Sequence, residues 1–334
     1  MRKQFQAIDQ PSTIKNTIDR LAKSDYVRVV SRWAYPEEPD GYLSNKISSV
    51  STVDAFQHDV MIPLAHVVLK RTSQGLSFSG LENLAQTPTL FISNHRDIVL
   101  DAYFLQVILL ENCFETSQII AGTNLYVNDF VADIAAINKI IAIGRGGSKR
   151  GFGEEMINIS TLLRRSLTAA DGNGASVWIA QRNGRTKDRV DKTDPSIIHM
   201  LCTTGAISEY RIVPLTITYE IEPNADYKAR HLWQLDHPDA AVEENYMQQM
   251  LSSILQQKGH IHYAFHPPIS LDADMPVSKE YYQSIAQRVD EEILGGYRQW
   301  AKSEVVEQQW QAMVASADDE IRPYMALFNP RYLV

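Results

Sequence analysis

The chemistry this sequence can do gathers at one histidine. It stands in Leu90-Phe-Ile-Ser-Asn-His-Arg-Asp-Ile-Val-Leu-Asp101, an apolar run that ends at Asn94-His95 and restarts as an apolar helix carrying two carboxylates. An imidazole titrates near neutral pH and takes a proton from a hydroxyl. A carboxylate on its other ring nitrogen fixes the tautomer and stabilises the charged form. Asp97 and Asp101 are the candidates for that carboxylate. These residues alone fit a second reading equally well: a loop histidine with its bonds satisfied, followed by aspartates that the helix dipole favours at a helix start.

Two later stretches supply cations. Ile140-Ile-Ala-Ile-Gly-Arg-Gly-Gly-Ser-Lys-Arg-Gly151 is a strand opening into a glycine-rich turn, with Arg145, Lys149 and Arg150 ahead of a helix. Backbone amides at a helix start backed by cations suit a phosphate. The spacing is not that of a Walker A loop, and a solvated basic turn reads as well. Val177-Trp-Ile-Ala-Gln-Arg-Asn-Gly-Arg-Thr-Lys-Asp188 is again a strand ending in a polar turn, with Arg182, Arg185 and Lys187 around Gly184. The chain carries 32 Lys plus Arg against 40 Asp plus Glu, net −8, so local cations at successive strand ends point to a specific anion site. The same balance argues against nucleic acid as a partner.

Other chemistries fit less well. His95-Arg96-Asp97 opens like a kinase catalytic loop, but Ala102 stands where that loop needs Asn, and no Asp-Phe-Gly or Ala-Pro-Glu follows. His260 and His262 share a strand face near His266 as a possible metal pair. They lack a third ligand, so a structural role is expected there, and no metal or other cofactor. A phosphate-ester hydrolase would need a metal or a phosphorylatable nucleophile at a strand end, and neither is evident. Cys113 and Cys202 fit no metal spacing and no disulfide framework, which reads as reduced thiols and a cytoplasmic protein. Trp178 and Trp233 read as packing, and Glu243-Glu244 as a solvated helix face.

The elements that must position these residues alternate along the chain. Short β-rich runs fall at Leu76–Phe78, Thr89–Ser93, Ile119–Ala121, Ile140–Ile143, Ser176–Ala180, Ile212–Tyr219 and Ile261–Phe265. Helical periods fall at Asp54–Lys70, Val99–Leu110, Leu125–Asn138, Gly153–Ala169, Pro195–Thr204, Ala240–Gln257 and Lys279–Trp300. This predicts an α/β fold, a mixed central sheet flanked by helices with helical N- and C-terminal additions. The expected division is 1–75 as an N-terminal arm and helix, 76–271 as the α/β domain, and 272–334 as a C-terminal helical extension packed on it. The first 50 residues, with the turn-rich YPEEPDGYLSN, read as an arm or linker. No apolar run follows Arg2 and Lys3, so no secretory signal is expected. The best apolar stretches, Met61–Leu69 and Tyr103–Leu110, fall short of the ~20 residues of a membrane span.

In this order the three stretches resemble the glycerolipid acyltransferase superfamily, which includes lysophosphatidic acid acyltransferases and soluble plastid glycerol-3-phosphate acyltransferases. Asn94-His95 and the following helix match its first block, and Ile143-Gly144-Arg145 resembles the second. Trp178-Ile179-Ala180 through Gly184-Arg185 is similar to the third, with Asn183 where many members have Glu. Ile212-Val213-Pro214-Leu215 resembles the fourth, and the strand before Pro267-Pro268-Ile269 the final one. The likeness spans about residues 76–270. One departure is specific: the family places four residues between His and Asp, whereas Asp101 follows His95 after five and Asp97 after one. One extra residue swings a helical side chain by about 100°, so the turn must absorb it or another group must orient the histidine.

The resemblance implies acyl transfer from acyl carrier protein or coenzyme A to a hydroxyl of a glycerol phosphate or lysophospholipid such as lysophosphatidic acid, in phospholipid biosynthesis. Catalysis would fall to His95 with Asp101, Asp97 in reserve. Acceptor binding would fall to Asn94, Arg96, Arg145, Lys149, Arg150, Arg182, Gly184, Arg185 and Lys187, with Asn94 or nearby amides supporting the oxyanion. Membrane contact would be peripheral, on the inner face of the cytoplasmic membrane, through the 54–70 helix and exposed cations. Another lysolipid, an amino-acid lipid, or a non-catalytic lipid-binding role on the same fold are the alternatives.

Overall fold

In a computed structural model of the chain, residues 10–144, 149–169, 174–188, 190–240, 245–271 and 277–329 are described, the backbone alone for 149–152. Seven strands form one sheet: β1 Gly75–Ser79, β2 Leu90–Ser93, β3 Gln118–Gly122, β4 Ile140–Ile143, β5 Val177–Ala180, β6 Ile212–Tyr219 and β7 His260–Phe265. Their order is β1-β7-β6-β2-β5-β3-β4, and every pairing is parallel except β6 with β7. This is the mixed sheet the sequence predicts. Its centre is β2, between β5 and β6 in register Leu90 with Val177 and with Ile212. All four residues of β2 and all eight of β6 are buried, as expected for strands covered on both faces.

The helices are α1 Pro11–Ala22, α2 Asp25–Ala34, α3 Tyr42–Ser48, α4 Val53–Phe56, α5 Ile62–Thr72, α6 Leu100–Glu111, α7 Asp129–Ile137, α8 Lys149–Leu167, α9 Pro195–Cys202, α10 Ala225–Asp236, α11 Tyr246–Leu255, α12 Lys279–Gly295, α13 Glu304–Ser316 and α14 Arg322–Met325. One core cluster joins Leu90, Ile92, Val177 and Ile212 to α8, α9 and α12; another joins Phe91, Trp178, Val213 and Tyr263 to α5 and α6. The α6 helix is apolar on all sides, with Leu100, Phe104, Leu105 and Ile108 at most 1% exposed, so it is a central helix rather than a surface one.

Three differences from the sequence reading have physical reasons. Residues 10–50 are not an arm: α1, α2 and α3 bury Ile14, Ile18, Leu21, Val27, Leu43 and Ile47 against Phe56, Val60 and Ile137. Their apolar stripes are narrow and sit in polar helices, and Pro11 at the first position of α1 starts rather than breaks a helix. The 54–70 period is broken by a π-turn at Gln57–Met61, directly before Ile62-Pro63, where Pro63 has no N–H for the ladder. The α12 helix stops at Gly295 rather than at Trp300, since Gly295-Gly296 weakens it. A Cβ on Gly296 would lie 2.3 Å from Thr216 Oγ1 and 2.4 Å from His266 Nε2, so only glycine lets the chain pass this close to the sheet.

Candidate active site

The carboxyl ends of β2, β5 and β6 meet where a parallel sheet offers its ligand site. The loop leaving β2 is fastened from several sides. Asn94 donates through Nδ2 to the Ile217 carbonyl at 2.9 Å and accepts at Oδ1 from the Ile217 N–H at 2.8 Å, which ties the end of β2 to β6. His95 accepts at its carbonyl from Thr186 N–H at 2.8 Å, which ties the same loop to the turn after β5. Gln181 N–H donates to the Ser93 carbonyl at 2.7 Å, extending that link.

The imidazole of His95 donates through Nδ1 to Asp101 Oδ2 at 2.8 Å, and its ring meets the edge of Trp178 at 5.5 Å between centroids. Trp178 is itself held by a 2.9 Å bond from Nε1 to Ser93 Oγ. Asp101 is fully buried and also accepts from Arg96 N–H at 2.6 Å, Asp97 N–H at 3.0 Å and the Tyr219 hydroxyl at 2.9 Å. Burial raises the Tyr219 phenol well above its usual pKa, with the Asp101 charge adding to it, so Tyr219 stays a donor. Four donors on one carboxylate fix its orientation.

The extra residue between His95 and Asp101 is absorbed before the helix. Asp97 Oδ1 accepts from Val99 N–H at 2.8 Å and Leu100 N–H at 2.7 Å and from the Ser253 hydroxyl, so 96–99 forms a capped turn and α6 starts at Leu100. Asp101 then falls in the first helical turn, beside His95. Asp97 caps the helix instead of reaching the imidazole.

The other expected site residues divide. Arg96 turns away into a buried cluster, with Nη2 on Asp191 at 2.5 Å and on the Tyr297 hydroxyl at 2.9 Å, and Nη1 on Glu222 at 3.4 Å. Burial works against its charge, and Glu222, Asp191 and Asp101 together overcome that and raise its pKa. Lys228 completes the cluster on Glu222 and donates to the Arg96 carbonyl at 2.8 Å; burial lowers its pKa. Neither Asn94 nor Arg96 is therefore placed to hold a substrate anion or oxyanion, because each is buried and neither lines the cavity that His95 lines. Arg145 lies outside the described residues. Lys149 and Arg150 begin α8, with their side chains outside them.

Arg182, Gly184, Arg185 and Lys187 line the same cavity as His95. Arg182 reaches Asp188 at 3.1 Å and the Val190 carbonyl at 3.0 Å. Arg185 donates to Asn224 Oδ1 at 3.1 Å and to Gln249 Oε1. Gly184 has φ +82°, the left-handed conformation that lets the turn double back. The cavity has a volume of about 1300 Å³ and runs from His95 into a mostly apolar interior reached by Trp33, Phe56, Val60, Tyr103, Phe130 and Ile134. That exceeds the ~300–1,000 Å³ of common small-molecule sites.

Sequence reasoning missed Tyr219, Thr186 and Tyr297. Tyr219 carried one usable signal, its place at the end of the strand beside β2. Tyr297 carried none, because it lies more than 200 positions from the loop it holds, bonding Asn94 Nδ2 at 3.0 Å and the Asp191 carboxylate as well as Arg96. His260 and His262 do not form a metal pair: His260 sits on Glu220 at 2.6 Å and stacks on Trp300, and His262 lies between Ser77 and Ser79. Among the described residues no group of three or more His, Cys, Asp or Glu is placed to hold a metal.

No family model and no curated protein matches the chain. Among solved structures it is similar to that of the 1-acyl-sn-glycerophosphate (LPA) acyltransferase PlsC from Thermotoga maritima, at 14% identity and a TM-score of 0.44, over 88% of this chain and 100% of that one.

Proposed function

We propose that this protein is an O-acyltransferase that moves a fatty acyl group from a thioester to a hydroxyl of a phosphate-bearing glycerol acceptor. One observation carries the reading: His95 is held through Nδ1 by a buried, fourfold-bonded Asp101 while its ring lines a large apolar cavity that cations also line. A base at a cavity wall with an anion site beside it suits an amphipathic phosphorylated alcohol. The sequence blocks around Asn94-His95, Arg145 and Arg185 support the same reading.

With Nδ1 on Asp101, Nε2 is the nitrogen that takes the acceptor proton. The hydroxyl oxygen attacks the thioester carbonyl, the C–O bond forms, and the C–S bond breaks as the imidazolium returns its proton to the thiolate. Asp101 stabilises the imidazolium and stays ionised throughout. Arg182, Arg185 and Lys187 position the acceptor phosphate and supply the positive field for the oxyanion, a role for which Asn94 is not placed. The apolar cavity receives the acyl chain. Exposed Tyr26, Val29, Leu235, Leu251 and Leu255 border that cavity, which supports entry of lipid from a membrane surface touched peripherally. No helix among the described residues is long and apolar enough to cross a membrane.

The test is acceptor-dependent release of free thiol from acyl carrier protein and acyl-coenzyme A thioesters, wild type beside His95→Ala. Release that requires both acceptor and His95 supports acyl transfer. Release equal in the two proteins, or absent with every lysophospholipid and with glycerol 3-phosphate, sinks it.

A further inference from the structure

A second pocket of about 330 Å³ opens beside the cavity and shares two of its cations. Arg185 and Lys187 line both spaces. Beyond them the walls come from α10, the start of α11 and the end of α13, where Asp226, Arg230, His231 and Asp318 stand among amides and hydroxyls such as Gln248, Asn245, Tyr227 and Ser316. Lys228 lies on its inner side and bonds the Arg96 carbonyl at 2.8 Å, so the pocket backs directly onto the loop that carries His95. Because Arg185 and Lys187 line both spaces, a phosphate held between them would turn whatever it carries on its far side towards this pocket.

We propose that the pocket binds the headgroup of a lysophosphodiester acceptor, a monoacylglycerol phosphate whose phosphate carries a further hydroxylated group. The inference rests on the acyl-transfer reading and names its acceptor class. Its chemistry comes from the lining. Amides and hydroxyls both donate and accept, which is what hydroxyl groups need, and a phosphomonoester would leave this space filled by water alone. A cationic headgroup fits less well. The carboxylates of Asp318 and Glu320 are taken by Arg230, and Asp226 turns to backbone N–H groups at the start of α10, with burial raising its pKa. A quaternary ammonium needs several aromatic faces, and Tyr227 provides one.

The test compares acceptors with the full chain: lysophosphatidylglycerol, lysophosphatidic acid, and lysolipids with ethanolamine and choline headgroups, each at matched acyl chain, reading kcat/KM for thiol release. Lysophosphatidylglycerol is expected to exceed lysophosphatidic acid by about tenfold or more, and Gln248→Trp, which fills the pocket from the exposed face of α11, to bring that ratio close to one. A binding arm titrates the water-soluble headgroups glycerophosphoglycerol and glycerol 3-phosphate by calorimetry, with the former expected to bind tighter in wild type and to lose its advantage in Gln248→Trp. Turnover with lysophosphatidic acid equal or preferred, a choline or ethanolamine lysolipid equal to the glycerol one, or a ratio untouched by Gln248→Trp overturns the headgroup assignment and leaves acyl transfer standing. Thiol release from no acceptor, with the calorimetric preference present, overturns acyl transfer and leaves the pocket as a headgroup site.

Discussion

Two histidine–carboxylate pairs, one after the central strand β2 and one at the start of β7, have nearly the same short contact and different surroundings. His95 meets Asp101 at 2.8 Å and His260 meets Glu220 at 2.6 Å. Asp101 is fully buried and receives three further donors, whereas among the described residues Glu220 receives only the His260 N–H besides the ring. The His95 ring lines the cavity; the His260 ring stacks on Trp300. A histidine beside a carboxylate is thus not a site by itself, since His66 with Glu111 makes a third such pair at 2.6 Å on the surface. What separates them is a carboxylate fixed from several directions and a second nitrogen with somewhere to deliver a proton.

The largest expected effect breaks that contrast at its centre. His95→Ala should lower acceptor-dependent kcat by about 10³-fold or more, as removal of a general base does, while His260→Ala leaves it within about twofold. Equal losses in the two variants would remove the distinction. Asp101→Asn keeps the shape but can present an N–H to Nδ1, so the imidazole adopts the wrong tautomer. A fall of about 10²–10³-fold in kcat with KM little changed is expected in steady-state assays.

The sheet and its order along the chain were legible because seven short β-rich runs separated by helical periods leave few alternatives, and β2 and β6 are continuous apolar strands. The N-terminal helices were not, since each buries two to four residues and reads as polar on average. His95 stood out because a base at a strand end is a local signal. Which aspartate turns to it depended on a turn that absorbs one residue, a property of Asp97, Val99, Leu100 and Ser253 together. The Arg96 expectation failed for a related reason: a cation next to a base looks like an anion clamp until Asp191, Glu222 and Tyr297, distant in sequence, are brought against it.

Tyr297 sharpens the comparison from outside the strand ends. Tyr297→Phe removes the hydroxyl shared by Asn94, Arg96 and Asp191, and leaves the ring over the Arg96 guanidinium at 5.5 Å. The loop holding His95 loses one support, and a loss of about tenfold in kcat is expected, with thermal unfolding shifted by a few degrees at most. Asp97→Ala acts on the helix start instead. It removes a cap and the Ser253 bond, so urea denaturation should show a loss of ~1–2 kcal/mol, and kcat should fall less than in Asp101→Asn.

An effect on stability without one on turnover belongs to His262, which does not line the cavity. His262 is 4% exposed, with Ser77 Oγ 2.8 Å from Nδ1 and Ser79 Oγ 3.1 Å from Nε2, and burial, with Arg298 adding to it, pushes its pKa down to about 4. Unfolded, the same group titrates near ~6.5. Between these values the unfolded chain binds the proton and the folded chain does not, so stability falls as pH is lowered from about 6.5 towards 4, by at most ~3 kcal/mol, and this contribution levels off below that. Above pH 6.5 both forms are neutral and the contribution is flat. Urea midpoints measured across that window should fall in wild type and fall less in His262→Gln, whose amide keeps polar contact with the serines but cannot take a proton. Equal slopes in the two proteins would mean that this ring protonates in the folded state as readily as in the unfolded one.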